Sequence, residues 1–112
     1  MERDPAVYMM ASGFHGTLDV GVTSNLLQRV YQHRTGALGG FTAEYGCHRL
    51  VWFEMHGSME AAIVREKRLK RWRRAWKYDL IAAANPTWQD LAEEFGFEPL
   101  VRKKVGPGSR PG

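Results

Sequence analysis

A single acidic side chain, Glu66, interrupts what is otherwise an apolar helical stripe. At helical spacings of three and four, the residues that share its face are Met59, Ala62, Leu69, Trp72 and Trp76. An inward carboxylate needs a cation, a metal ion or several hydrogen-bond donors, because an unpaired buried charge is very costly. Two interpretations stand: a structural salt bridge to Arg29 or a neighbouring arginine, or a Mg²⁺ ligand, since Mg²⁺ needs few carboxylates beside water and phosphate.

A second pair of chemically capable residues, Arg29 and His33, stands at positions i and i+4 of a predicted helix. Both lie at the edge of the apolar stripe, so both side chains can enter one groove. Arginine suits bidentate phosphate binding, and histidine can move a proton near neutral pH. Such pairs also occur by chance on surface helices.

The segment 65–77 concentrates positive charge. It holds eight of the sixteen Lys and Arg residues and one acid, giving +7, so the rest of a chain of net charge +4 carries −3. One sign this dense favours a polyanion over a merely solvated face, because phosphates exchange condensed counterions for cationic side chains. The residues predicted to bind nucleic acid are Lys67, Arg68, Lys70, Arg71, Arg74 and Lys77. The interleaved Trp72 and Trp76 could stack on bases, but inward packing is the favoured interpretation.

The elements that must position these residues follow from local patterns. Residues 6–12 and 17–23 read as strands joined by a short turn, and the apolar run in residues 49–54 is typical of a central strand covered on both sides. A first helix, capped by Ser24 or Thr23 and using Leu26, Leu27 and Val30, reaches about His33. Residues 35–40 hold three glycines and form a loop.

Three further helices are predicted. Ser58 begins one that continues to about Arg74, and residues 75–84 form the next, which Asn85-Pro86 stops. Thr87 caps the last helix, whose Leu91 and Phe95 face inward and which ends at Gly96. The order β-β-α-β-α-α-α predicts an α+β domain over residues 1–96. Residues 97–112, a basic Gly/Pro tail, are predicted to be disordered.

Composition excludes several classes of protein. At 112 residues with 44% hydrophobic content, the chain is one globular domain without an apolar run near the roughly 20 residues that cross a bilayer. The single Cys47 excludes an internal disulfide and a Cys-cluster zinc site. Residues 1–12 lack the apolar stretch of a signal peptide. We therefore expect a soluble, cytoplasmic protein with no membrane partner.

Several motifs occur in a fixed order along residues 6–95. They are Ala6-Val7-Tyr8, Asp19-Val20-Gly21, the helix with Arg29 and His33, Gly40-Phe41-Thr42, Tyr45-Gly46, the strand at residues 49–54, the segment 65–72 with Lys77, and Asn85-Pro86. The series resembles the GIY-YIG nuclease superfamily, in particular its small stand-alone bacterial members. Each motif alone is weak, and the ordered series is specific.

The resemblance implies a three-stranded antiparallel sheet flanked by helices, and phosphodiester hydrolysis with one divalent ion. Carried over by position, Glu66 binds Mg²⁺ or Mn²⁺, Arg29 steadies the phosphate, and His33 assists proton transfer. Tyr8 orients the attacking water, and Asn85 matches a supporting polar position. The implied partner is DNA, with RNA as the alternative.

One position departs from the family pattern. The tyrosine of the second motif is Asp19 here, and a carboxylate only accepts hydrogen bonds, whereas a phenol also donates one. Asp19 can act as the base or as a second metal ligand, or it can leave a site that binds metal and DNA without cleaving.

Three functional hypotheses follow. The first is a metal-dependent DNA endonuclease acting at nicks, branches or single-stranded regions, with a role in DNA repair. The second is a nucleic-acid-binding module on a decayed nuclease scaffold. The third is a protein-interaction adaptor that uses exposed aromatic residues.

Overall fold

The sheet is built around its first strand. The computed structural model describes residues 4–37 and 46–100, and its strands are β1 (Ala6–Ala11), β2 (Leu18–Thr23) and β3 (Arg49–Met55). Both neighbours pair with β1 in antiparallel fashion, in the order β2-β1-β3. All six residues of β1 are buried, as expected for a strand covered on both faces.

The prediction that the third strand is central was wrong, because β3 lies at an edge of the sheet. Its edge is covered by side chains from the segment that follows the last α-helix. The Asn85 side-chain amide donates to the Val51 carbonyl at 3.0 Å, and the Leu50 amide donates to Asp90 Oδ1 at 3.2 Å. The register shift between Met9 and Met10 leaves Val51 as the extra residue of a bulge, so Asn85 satisfies a carbonyl at an irregular position of the pairing.

Helix α1 (Leu26–Thr35) begins one residue later than the predicted caps allow. Asn25 is the N-cap, and its Oδ1 accepts from the Gln28 amide at 3.1 Å, while Thr23 Oγ1 bonds to the backbone of Asn25. Leu26 and Val30 are buried as predicted, but Leu27 is exposed. His33 takes the third buried position of this helix, so the inner face of α1 carries an ionisable group.

Residues 58–84 form two helices, as predicted, but two residues with extended backbone separate them. Helix α2 (Met59–Arg71) is capped by Ser58 as predicted, and helix α3 (Arg74–Ala84) follows after Trp72 and Arg73, both of which have extended backbone. Helix α2 therefore ends about three residues before Arg74, the end that the sequence predicts. Asn85 ends α3, as the Asn85-Pro86 pair predicted.

The last element is a 3-10 helix, Leu91–Phe95, and its N-cap is Asp90 in place of the predicted Thr87. Ala92 is its buried residue. Leu91 is half-buried and packs against the core as predicted, whereas Phe95 is exposed, so the prediction that Phe95 faces inward was wrong. Gly96 ends it in the left-handed conformation (φ 93°), as predicted. Residues 98–100 have no regular structure. The rest of the predicted tail and residues 38–40 of the predicted 35–40 loop lie outside the described residues.

Two cores lie on opposite faces of β1. Val7, Met9 and Ala11 pack with residues of α2 and α3, and Ala6, Tyr8 and Met10 pack with residues of α1 and the 3-10 helix. Alternation along the strand produces this division. The fold is the predicted α+β arrangement of a small antiparallel sheet flanked by helices.

Candidate active site

The hydroxyl of Tyr8 is the centre of a polar cluster inside the α1 face. Arg29 Nη1 donates to Tyr8 Oη at 3.1 Å, and His33 Nε2 lies 3.3 Å from the same oxygen. The Tyr8 and His33 rings form an edge-to-face contact, with their centroids 5.5 Å apart and their planes at 79°. The i, i+4 spacing of α1 thus brings Arg29 and His33 to one atom, as the sequence predicted for a common groove.

Gly21 makes room for that hydroxyl. It pairs with Tyr8 in the β1–β2 register, and a Cβ on Gly21 would overlap the Tyr8 hydroxyl and Cζ. Gly21 belongs to the second motif, but the motif alone indicates no role for it. A glycine inside a strand is a recognised sign of a close approach by another group, and here that group is the Tyr8 phenol.

Asp19 reaches the cluster from the neighbouring strand. Its carboxylate Oδ2 lies 3.7 Å from His33 Nε2, and the Asp19 side chain is 27% exposed while that of His33 is fully buried. His33 Nε2 therefore lies near two oxygens, that of the Tyr8 phenol and that of a carboxylate that solvent can reach.

Burial controls the protonation of the cluster. The pKa of His33 is lowered, chiefly by burial, and the Asp19 carboxylate acts in the opposite direction. The pKa of Tyr8 is raised, again chiefly by burial, although the Arg29 hydrogen bond pulls it down. At neutral pH the site therefore contains a neutral imidazole and a protonated phenol.

Glu66, on α2, lies within electrostatic range of the same hydroxyl. It is 9% exposed, and the negative charges of Asp19 and Glu66 are among the lesser causes of the raised Tyr8 pKa, so both carboxylates lie within electrostatic range of Tyr8. The salt bridge that Glu66 makes is with Lys70 Nζ at 2.9 Å, one helical turn away, and the Lys70 side chain is 56% exposed. The alternative of a structural pair with Arg29 or a neighbouring arginine is therefore not the arrangement found: the partner is a lysine.

The donor set fits a single hard divalent ion. Within residues 4–37 and 46–100, no group of three or more His, Cys, Asp or Glu side chains is arranged to hold a metal, which does not fit an all-protein zinc cage. A buried carboxylate whose partner is an exposed lysine fits Mg²⁺ or Mn²⁺, because Mg²⁺ is held by one or two carboxylates and completed by water and substrate phosphate. Lys70 can move into solvent when a cation takes its place.

A profile of the GIY-YIG catalytic domain matches residues 5–79, two-thirds of the chain. The chain belongs to the GIY-YIG family. The match includes all five residues of the cluster and ends before Asn85. Family membership assigns a nuclease-type function in general terms, and GIY-YIG nucleases act on nucleic acids. No curated protein and no solved structure matches the chain. None of the helices in the described part of the chain is long and apolar enough to cross a membrane.

Asn85, the predicted supporting residue of the GIY-YIG site, is committed to the backbone. Its amide nitrogen donates to the carbonyls of Val51 and Gln89, and its Oδ1 accepts from the Gln89 amide. The side chain is 4% exposed. Asn85 therefore supports the fold by joining the end of α3 to β3, and it contributes no free polar atom to the Tyr8 cluster.

The basic segment presents most of its charges to solvent. Five of the six residues predicted to bind nucleic acid are exposed and Lys77 is half-buried, which lowers its pKa, with Arg74 adding to the effect. Arg65, by contrast, bonds to Glu54 and lies over the rings of Trp52 and Trp72. The predicted inward packing holds only in part for the tryptophans, because Trp72 is half-buried and Trp76 is 49% exposed.

Proposed function

We propose that this GIY-YIG protein is a metal-dependent endonuclease that hydrolyses DNA phosphodiester bonds, at nicks, branches or single-stranded regions. The observation that carries the proposal is the position of Glu66: a nearly buried carboxylate, paired with an exposed lysine, in electrostatic range of the phenol that Arg29 and His33 share. A carboxylate with a purely structural role would be expected to have a more committed partner.

The basic segment supports nucleic acid as the substrate. Lys70 follows Glu66 by four residues on α2, so it lies on the same side of the helix as the carboxylate, and Lys67 lies about 100° around the helix from it. They bring a phosphate chain toward Glu66 and offset its charge. Arg29, whose guanidinium already faces the Tyr8 hydroxyl, is suited to bind the scissile phosphate and the charge that develops on it.

A divalent ion held by Glu66 would polarise a phosphoryl oxygen and stabilise the leaving oxygen. The chain's own groups would move the proton of the attacking water. That water gives a proton to the Tyr8 oxygen while Tyr8 passes its own proton to neutral His33 Nε2, 3.3 Å away. The new O–P bond forms as the P–O bond to the leaving group breaks, and Asp19 stabilises the resulting imidazolium at 3.7 Å.

This route gives Asp19 a function that does not require it to replace the family's tyrosine atom for atom. It is the counter-charge of His33. After the step, the imidazolium loses its proton to solvent at the exposed side of Asp19, and the leaving oxygen takes a proton from solvent. The alternative remains a nucleic-acid-binding module without turnover, which the substitution of tyrosine by Asp19 favours, because an ionised carboxylate beside the phosphate repels it.

The test is a panel of single-stranded, duplex, nicked and branched DNAs, with an RNA strand of matched sequence, incubated with Mg²⁺ or Mn²⁺. We expect scission by the wild type and none by Glu66→Ala, with both proteins folded by circular dichroism. Scission by Asp19→Tyr alone would show that the natural chain is the binding module. Failure of the wild type to bind DNA at low salt would favour the adaptor hypothesis.

A further inference from the structure

Trp76 is a large apolar side chain placed among cations at the surface. It lies in the first turn of α3, with Arg73 and Arg74 before it and Lys77 after it, and no acidic residue in that turn. About half of its surface is open to solvent (49%). Burying an indole is strongly favourable, so its exposure within the most basic part of the chain calls for a ligand that is both aromatic and anionic.

Trp72 and Arg73 hold the exposed ring of Trp76 in place. Its centroid lies 6.1 Å from that of Trp72 at an interplanar angle of 83°, and Arg73 Cζ lies 5.3 Å from the Trp76 centroid. Trp72 in turn carries Arg65 over its ring, and the same guanidinium lies over the ring of buried Trp52. This series of aromatic and guanidinium contacts reaches the core, so Trp76 is preorganised and loses little side-chain freedom when a flat ligand stacks on it.

The path from the candidate active site to Trp76 is basic. Glu66 lies six residues before Trp72, about 9 Å along the axis of α2. Arg65, which points to β3, is about 100° around the helix from Glu66. In the other direction around α2, across its exposed face, the positions between the two sides hold Lys67, Arg71 and Arg68, all exposed. A nucleic-acid strand leaving Glu66 can therefore cross these cations and reach Trp76.

We propose that Trp76 is a base-stacking platform that makes the protein prefer single-stranded DNA. The inference rests on the proposed function for its substrate class and adds the choice between paired and unpaired strands. An unpaired base can present its π-face to an indole, whereas a base inside a duplex already stacks on both sides. Such stacking contributes substantially to the affinity of single-strand binders without sequence preference.

The experiment measures the affinity of the full chain for an oligothymidylate and for a mixed-sequence duplex of equal length, in EDTA so that cleavage does not interfere. We expect Trp76→Ala to weaken single-strand binding about tenfold and duplex binding by less than about twofold, and Trp76→Phe to retain most of the affinity. The slope of log K against log salt should not change, because no cation is removed.

Tyr31→Ala is the matched control, because Tyr31 is an exposed aromatic residue (59%) on α1, outside the basic segment. It should leave both affinities unchanged. Equal losses on the two DNAs in Trp76→Ala, no loss on the single strand, or the same loss in Tyr31→Ala would overturn the proposal. Trp76-dependent binding without metal-dependent scission would contradict the hydrolase proposal alone, so the two failures are distinguishable.

Discussion

Two nearly buried carboxylates, Asp90 and Glu66, differ in the partners that compensate their charge. The side chain of Asp90 is 7% exposed and that of Glu66 is 12% exposed. Asp90 bonds to Arg34, and its Oδ1 accepts from the amides of Leu50 and Ala92. Glu66 has a salt bridge to a lysine that is itself half in solvent. Similar burial with such unequal partners separates an acid with several hydrogen-bond partners in the fold from the one that we propose as the metal ligand.

The strongest test of this contrast is Glu66→Gln. We expect cleavage to fall at least a hundredfold, since the neutral amide no longer binds the ion on which the phosphoryl chemistry depends. The free energy of unfolding should change by less than about 1 kcal/mol, because a pair with an exposed lysine contributes little. Single-turnover cleavage and urea denaturation measure the two quantities. A large loss of stability would place Glu66 in the same class as Asp90.

Asp90→Asn is the matched change at the other carboxylate. We expect it to lower the free energy of unfolding by about 3 kcal/mol, because the Arg34 guanidinium is left in a buried site without its counter-charge. Arg34 Nε and Nη1 already have no hydrogen-bond partner among the described residues. Below the midpoint of unfolding, the cleavage rate of this variant should match that of the wild type. A rate loss as large as that of Glu66→Gln would refute the division of roles.

Gly21→Ala tests whether the position of the Tyr8 phenol matters for cleavage. The added methyl overlaps the phenol, and we expect a stability loss of about 1–3 kcal/mol with a fall in cleavage, since Tyr8 leaves Arg29 and His33. Tyr8→Phe removes the hydroxyl, one of the atoms that the methyl would overlap, while the ring carbon Cζ remains. In a double-mutant cycle the stability cost of Gly21→Ala should therefore be smaller in the Tyr8→Phe background, and equal costs in both would argue against the steric explanation.

The smallest expected effect is in the pH dependence of cleavage. His33 must be neutral to accept the proton, and burial lowers its pKa below the ordinary 6.5, so the rate should be flat at pH 7 and fall on acidification below the shifted pKa. The Asp19 carboxylate raises the pKa of His33. Asp19→Asn should therefore move the acid limb to lower pH, and a shift to higher pH would contradict the assignment.

The free energy of unfolding should also fall on acidification, as the cleavage rate does. Unfolded His33 binds a proton near pH 6.5, whereas the folded protein binds it only at lower pH. The preference for neutral His33 thus contributes stability above that range, and this contribution is lost as the pH falls from 6.5 toward the folded pKa. Thermal melts across the acid range, compared between the wild type and Asp19→Asn, measure it.

Local patterns in the sequence predicted the helices and strands well, because hairpins, helix caps and apolar helical stripes each depend on residues that are close together in the sequence. The Ser58 cap, the end of α3 at Asn85 and the glycine after the 3-10 helix are of this kind. They also predicted that Arg29 and His33 share a groove, since one helix positions both.

What the sequence did not reveal depends on distant partners. The apolar run of β3 resembles a central strand because its edge is covered, and the cover comes from residues 85–90, more than thirty residues later. The pair between Arg34 and Asp90 spans 56 residues. The outward position of Trp76 depends on the two extended residues between α2 and α3, which no helical periodicity predicts.

The order of the strands also affects how the protein is made. β1 is the middle strand, and β2 follows it within a short turn, but β3 leaves the ribosome about forty residues after β1. Until then the nascent chain carries a strand of hydrophobic and aromatic residues with one open edge, which is the kind of surface that chaperones cover and that neighbouring chains can pair with.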